Sequence, residues 1–220
     1  MSSPVARFAK TVLQAWYSPS RFLWRLPVQA VALTFDDGPD PVFTPRLLDM
    51  LKRHNVTATF FVIGEKAAKH PALMRRIAQE GHVLGGHAMY HDEIPNRASN
   101  ELAADLERCR RVIFDTSGTD TILFRPPRGR VDLGSIQQVC RLGYCMVHWT
   151  RTYSDYQRDG VQSLLERFDT FPPQPGDIVL LHDHNAYTVA ALDQRLALWK
   201  ITLKFISLPQ SRVITRSSGR

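Results

Sequence analysis

Asp36 and Asp37 stand side by side, just after the apolar run Ala30-Val31-Ala32-Leu33 and just before Gly38-Pro39, which turn the chain away. Adjacent carboxylates repel and are costly to desolvate, so the pair makes sense where a cation neutralises one and the other works as a base. Seen alone it fits a polar turn after a strand equally well. The deciding residues lie downstream. His87-Ala88-Met89-Tyr90-His91 places two imidazoles four residues apart, where a helical turn or tight loop brings both to one cation. Two histidines and one carboxylate with an open position form a catalytic metal arrangement, and Asp37 is the third ligand this pattern asks for. Asp36 is then the base that takes a proton from a water acidified by the ion, leaving hydroxide to attack a polarised carbonyl. A departing amine needs an acid, and His182, after Ile178-Val179-Leu180-Leu181, suits that task at neutral pH. Arg125 can pair with Asp36 to keep it ionised, and Asp155 with His182 to raise its pKa; either pair also reads as an ordinary salt bridge. Pro126 and Pro127 stiffen the loop after Arg125 and leave the Arg128 N–H as a candidate oxyanion donor.

These residues need a frame that gathers them. The alternation of apolar runs predicts seven strands, at about Ala30 to Phe35, Thr57 to Ile63, His82 to Leu84, Thr121 to Phe124, Tyr144 to Trp149, Asp177 to Leu181 and Lys204 to Leu208. Helices are predicted between them. Thr44-Pro45 supplies a start for one, Pro71 and Gly81 bound the next, and Ser99 and Asp132 read as N-caps of two more. Asp159 with Gln162 resembles a capping box, and Thr188 begins the last helix. Alternating strands and helices imply a parallel sheet with right-handed crossovers which, closed on itself, is a barrel. Asp36, Asp37, His87, Arg125, Trp149 and His182 all fall at or just past C-terminal strand ends, which in a β/α barrel meet at the functional face.

With 220 residues and 44% hydrophobic content the chain can bury one sizeable core, so a single α/β domain is expected over residues 28–208. Residues 1–27 form a leader and residues 209–220 a basic tail. The net charge of +7 comes from scattered Lys and Arg rather than a basic stripe with interleaved aromatics, which argues against nucleic acid as a partner. Three cysteines without metal-type spacing fit free thiols in a reducing compartment, and the leader lacks the features of a secretory signal, so a cytoplasmic protein is expected. Val5, Phe8, Ala9, Val12, Leu13 and Trp16 can share one helical face beside Arg7 and Lys10. Such a helix either lies on the inner face of a membrane or packs on its own domain.

In order along the chain, Thr34-Phe35-Asp36-Asp37-Gly38-Pro39, His87-x-x-x-His91, Arg125-Pro126-Pro127-x-Gly129, Trp149 through Asp155-Tyr156, and Leu180-Leu181-His182 resemble the five motifs of the polysaccharide deacetylases, the chitooligosaccharide-deacetylase-like carbohydrate esterase family 4. The resemblance covers roughly Val28 to Leu208. It implies a distorted seven-stranded (β/α) barrel and one divalent metal ion, usually zinc, on Asp37, His87 and His91. It further implies Asp36 as base, His182 as acid, Arg125 and Asp155 as their tuning partners, and removal of N-acetyl groups from the amino sugars of a poly- or oligosaccharide or a glycan-lipid precursor. Trp149 and Leu180 would line the pocket for the acetyl methyl, while Pro126, Pro127, Arg128 and Tyr156 belong to the substrate wall. The chain departs from the family pattern at Ala88, where Ser or Thr is usual, at Arg128 in place of an aromatic, at Thr152 in place of Asp, and at Tyr156 in place of Trp. Two alternatives remain beside this reading: a related metal amidohydrolase acting on another amide, such as a formamide on a lipid-linked sugar, and a non-catalytic glycan-binding barrel.

Overall fold

The computed structural model describes residues 18–94 and 97–209. The predicted leader helix over Val5 to Trp16 and all but the first residue of the basic tail lie outside them. Eight strands are present among the described residues: β1 Phe22–Leu23, β2 Ala32–Gly38, β3 Thr59–Val62, β4 Val83–Gly86, β5 Leu123–Phe124, β6 Cys145–Val147, β7 Arg151–Thr152 and β8 Ile178–His182. They form one sheet in the order β1-β6-β5-β4-β3-β2-β8-β7, and every pairing is parallel. Seven helices connect them: α1 Phe43–Arg53, α2 Gly64–Lys69, α3 Pro71–Gln79, α4 Ser99–Ser117, α5 Leu133–Arg141, α6 Val161–Thr170 and α7 Ala186–Trp199.

The expected α/β class and parallel sheet are present, but the sheet differs from the expected seven-stranded barrel. β1 and β7 stand at the two ends of the strand order and do not pair with each other, so the sheet stays open. Phe22 and Leu23, which the sequence reading leaves in the leader, pair with Met146 and Val147. The predicted last strand, Lys204 to Leu208, makes only a single bridge, Phe205 to Val31. Its Leu208 N–H donates to the side-chain hydroxyl of Thr59 on β3, not to a backbone carbonyl, at 2.9 Å. In the core, Leu47, Leu48 and Leu51 of α1 cluster with Phe60 of β3, Leu181 of β8 and Leu192 and Leu196 of α7, all essentially inaccessible. Truncating one such leucine to alanine would cost about 2–5 kcal/mol. No helix among the described residues is long and apolar enough to cross a membrane.

Helix ends follow local chemistry only in part. Asp132 caps α5 in a reciprocal box with Ser135. Asp159 does not cap α6; Gly160, at φ 103°, holds that position, and both Asp159 oxygens accept from Arg167 at 2.6 and 2.9 Å. The bidentate guanidinium contact satisfies the carboxylate better than two helix N–H groups would. α7 begins two residues before Thr188, capped by the Asn185 side chain.

Candidate active site

On a regular strand, neighbouring side chains point to opposite faces. β2 evades this rule at the acid pair. Asp36 stands in register with Phe61 of β3 and His182 of β8, but the next β3 partner is Gly38, opposite Val62, so Asp37 is an extra residue in a bulge, at φ 73°. Both carboxylates therefore converge on His87: Asp37 Oδ1 is 3.4 Å and Asp36 Oδ2 3.9 Å from its Nε2. The turn that follows is tight. A Cβ on Gly38 would sit 2.0 Å from Asp183 Oδ2, so only glycine lets the buried Asp183 side chain approach. Asp183 accepts from the Thr44 hydroxyl at 2.7 Å, and Thr44 in turn accepts from the Asp40 N–H. Thr44 thus anchors the turn rather than capping α1.

His87, at the end of β4, is 2% exposed and donates Nδ1–H to the Arg125 carbonyl at 2.7 Å. A carbonyl only accepts, so in the neutral ring Nε2 carries a bare lone pair, and that lone pair faces Asp37 Oδ1. His91 brings its Nε2 to 3.2 Å from the same oxygen. Asp37 Oδ1 is buried with no hydrogen-bond partner, and one donor atom from each of the three residues lies within 4.8 Å of the others. Three metal-ligating atoms converging on one point, one of them a buried carboxylate oxygen without a hydrogen bond, fit a cation, and this is the observation that matches the residues to a metal ion. Burial pushes the Asp37 carboxyl up, but the two imidazoles beside it outweigh that and hold it well below the usual carboxylate range. The loop between the histidines lacks the hydroxyl that Ser or Thr would place at Ala88. Its backbone is tied down instead: Gly64 N–H donates to the Ala88 carbonyl, Glu65 N–H to the Met89 carbonyl, and Met89 N–H to Asp105 at 3.1 Å.

Arg125 is fully buried and holds the floor together. One guanidinium nitrogen donates to Asp36 Oδ1 and to the Thr34 hydroxyl, both at 2.7 Å, and another donates to the His148 carbonyl at 3.2 Å. The guanidinium lies 4.2 Å from the Phe61 ring centroid and 5.7 Å from that of Trp149. Burial lowers its pKa, and Asp36 opposes the shift. Removing either member of this buried pair would leave an uncompensated charge.

Across the site, Asp155 is 2% exposed and accepts three hydrogen bonds, from His182 Nδ1 and the Thr188 hydroxyl and the His182 backbone N–H, at 2.7 to 2.8 Å. Burial disfavours the His182 imidazolium. The bond and charge of Asp155, with the charges of Asp36 and Asp37 behind it, outweigh burial and raise the His182 pKa to about 9.

The rim encloses a cavity of about 460 Å³ that contains Asp36, Asp37, His87, His91 and His182. Its remaining wall includes Trp149, Tyr156, Leu180, Arg128, Gly129 and Thr152. Trp149 is pressed against Gly129, where a Cβ would lie 2.3 Å from the indole and the backbone has φ +64°, so this position requires glycine. Of the predicted site residues, Arg125 and Asp155 sit behind the wall as partners. Pro126 and Pro127 are buried and do not line it. Arg128 reaches the wall with its side chain turned to Glu93 at 2.8 Å. Sequence reading missed Thr34, Thr188, Asp183 and His184. Only His184, two residues past His182, carried a local signal.

A family model described as polysaccharide deacetylase matches residues 25–147. The peptidoglycan-N-acetylglucosamine deacetylase of Bacillus cereus is 35% identical over 176 residues, covering 77% of this chain and 82% of that protein. The chitooligosaccharide deacetylase of Sinorhizobium fredii is 35% identical over 155 residues, 70% of this chain and 72% of that one. A crystal structure of a peptidoglycan N-acetylglucosamine deacetylase, in complex with 4-naphthalen-1-yl-N-oxidanyl-benzamide, superposes with a TM-score of 0.82 at 30% identity, over 89% of this chain and 94% of that chain.

Proposed function

We propose, since this chain belongs to the polysaccharide deacetylase family, that it is a hydrolase removing N-acetyl groups from the amino sugars of a poly- or oligosaccharide, using a divalent cation held by Asp37, His87 and His91. The observation that carries this reading is the set of three donor atoms within 4.8 Å of one another, in one cavity with Asp36 and His182. An ion there, for which two imidazoles and a carboxylate favour zinc, would polarise the amide carbonyl and make water easier to deprotonate.

The remaining work falls to the side chains. Arg125 occupies Asp36 Oδ1, so the second oxygen, on the His87 side, is the one that takes the proton of the attacking water. Asp155 takes the Nδ1–H of His182, which leaves Nε2 to deliver a proton to the departing amine. With its pKa raised to about 9, His182 is protonated at neutral pH. Leu180 and Trp149 supply an apolar wall for the acetyl methyl, and Tyr156, whose ring stands edge-on to His182 at 5.8 Å between centroids, bounds the sugar. The cytoplasmic setting expected from the cysteines, and contact of the leader with the inner face of a membrane, belong to this proposal as well. Co-sedimentation with anionic vesicles, lost on deleting residues 1–21, is the outcome expected for that contact.

The test is a release assay for acetate and formate over N-acylated glycans and lipid-linked sugars, with and without added zinc. Acetate release that depends on zinc is expected. Formate release in preference to acetate would move the reading to a deformylase, and no release from any substrate would sink it.

A further inference from the structure

A second cavity, of about 450 Å³, opens beside the first and shares Asp37 and His91 with it. Because the two cavities share the Asp37 and His91 wall, a sugar next to one whose acetyl group sits against Trp149 and Leu180 can reach this second space. Its lining carries two cations, Lys66 and Arg158, and the ring nitrogens of His184, beside the carboxylates of Asp37 and Asp40. Lys66 Nζ donates to the Asp37 carbonyl at 2.7 Å, and Arg158 donates to the His184 carbonyl at 3.5 Å. Neither has a carboxylate partner among the described residues, and both line a cavity that shares Asp37 and His91 with the first.

Each of the two acids that face the cavity has one oxygen directed elsewhere. Asp37 turns Oδ1 to the two imidazoles, and Asp40 Oδ1 accepts the Val42 and Phe43 N–H groups, each at 2.8 Å. Arg158 is held in place from behind. It sits in the left-handed region at φ 55°, directly after the turn Asp155–Gln157, and its N–H donates to the Asp155 carbonyl. The residue that orients His182 thus also fixes the backbone of Arg158, and backbone strain of this kind collects where a side chain must be aimed. His184 adds a buried Nδ1 without a hydrogen-bond partner, 3.9 Å from Asp37 Oδ2.

We infer that this second cavity is a subsite for an anionic group, a carboxylate or a phosphate ester, carried by the sugar next to the N-acetylated one, with the Arg158 fork and the Lys66 ammonium as its cations. The inference rests on the deacetylase reading and narrows its substrate to acidic glycans.

The experiment compares three N-acetylated oligosaccharides of equal length: a neutral one, one in which the amino sugar alternates with a uronate, and one phosphorylated at the neighbouring sugar. Acetate release and calorimetric binding are measured on the same samples. An acidic oligomer should have a kcat/KM about tenfold above the neutral one, an advantage that shrinks as salt is raised. Arg158→Gln should remove most of that ratio and Arg158→Lys restore part of it; the oligomer that gains identifies the anion. Equal binding and turnover of all three, or an advantage that survives Arg158→Gln, would overturn the subsite while leaving the deacetylase reading intact. Selective, Arg158-dependent binding of an acidic oligomer without acetate release from any of them would uphold the subsite and overturn the deacetylase reading.

Discussion

Two carboxylate–imidazole contacts lie on opposite sides of one cavity, built from the same residue types, and they dispose of protons in opposite ways. At Asp155 every contact is a donor meeting an acceptor: His182 Nδ1, the His182 backbone N–H and the Thr188 hydroxyl all point at the carboxylate within 2.8 Å. At Asp37, His87 turns a lone pair to Oδ1 at 3.4 Å, its proton committed to the Arg125 carbonyl on the far side of the ring, and His91 Nε2 comes to 3.2 Å from the same oxygen. The first arrangement keeps a proton and the second calls for a cation. What separates them is where each ring finds its other partner, a detail of backbone placement rather than of residue type.

Removing the cation side should have the largest effect. The intact protein should bind about one divalent ion per chain, and His87→Ala or His91→Ala should reduce that to background, with loss of acetate release; chelation should do the same. Asp36→Asn should keep the ion yet lower turnover by roughly 10²–10⁴, the span of a lost general base. Metal analysis showing undiminished occupancy in both histidine variants would erase the difference between the two contacts.

The proton side should respond through pH. His182, raised to about 9, is protonated below that value, so turnover should fall as pH rises through about 9. Asp155→Asn removes the carboxylate that most favours the imidazolium, and the alkaline limb should move down by about a unit or more while metal content is unchanged. His182→Ala should impair amides, whose leaving amine must be protonated, far more than activated esters. Equal losses on both substrate types would remove His182 from the role of acid.

The principal site residues were legible because Asp36, Asp37, His87 and His182 fall at or just past strand ends and together complete a metal, base and acid pattern; the acid pair alone read equally well as a polar turn. The bulge that turns Asp37 toward His87 was not legible, since register depends on β3 and β8 rather than on the sequence of β2. Thr34 and Thr188 stand on apolar-looking segments, and their hydroxyls gain meaning only from Arg125, 91 residues away, and Asp155, 33 residues away. β1 and β7 are two residues long, too short for any period to register. The Asp159 capping box failed for the same kind of reason, because Arg167 lay a helix turn too far along to be weighed as a competitor. At Ala88, where the family pattern has Ser or Thr, backbone bonds to the start of α2 tie down the loop in place of a side-chain hydroxyl.

The smallest expected effect distinguishes charge from placement on the proton side. Thr188 donates to Asp155 Oδ2 at 2.7 Å, and its hydroxyl also lies 3.0 Å from Asn185 Oδ1, so its single proton is shared between two acceptors. Thr188→Val keeps the shape of this fully buried side chain but takes the donor away from Asp155. A carboxylate that loses a donor becomes more basic and pulls harder on the His182 proton, so the alkaline limb should rise by a few tenths of a pH unit, opposite in sign to Asp155→Asn. Turnover at neutral pH should fall only a few-fold, because the two bonds from His182 itself still aim the carboxylate. A limb that moves down in Thr188→Val would mean that Asp155 acts chiefly by position and that its charge is set elsewhere. A limb that moves up with turnover nearly intact would place the proton affinity of His182 under the control of Asp155 alone.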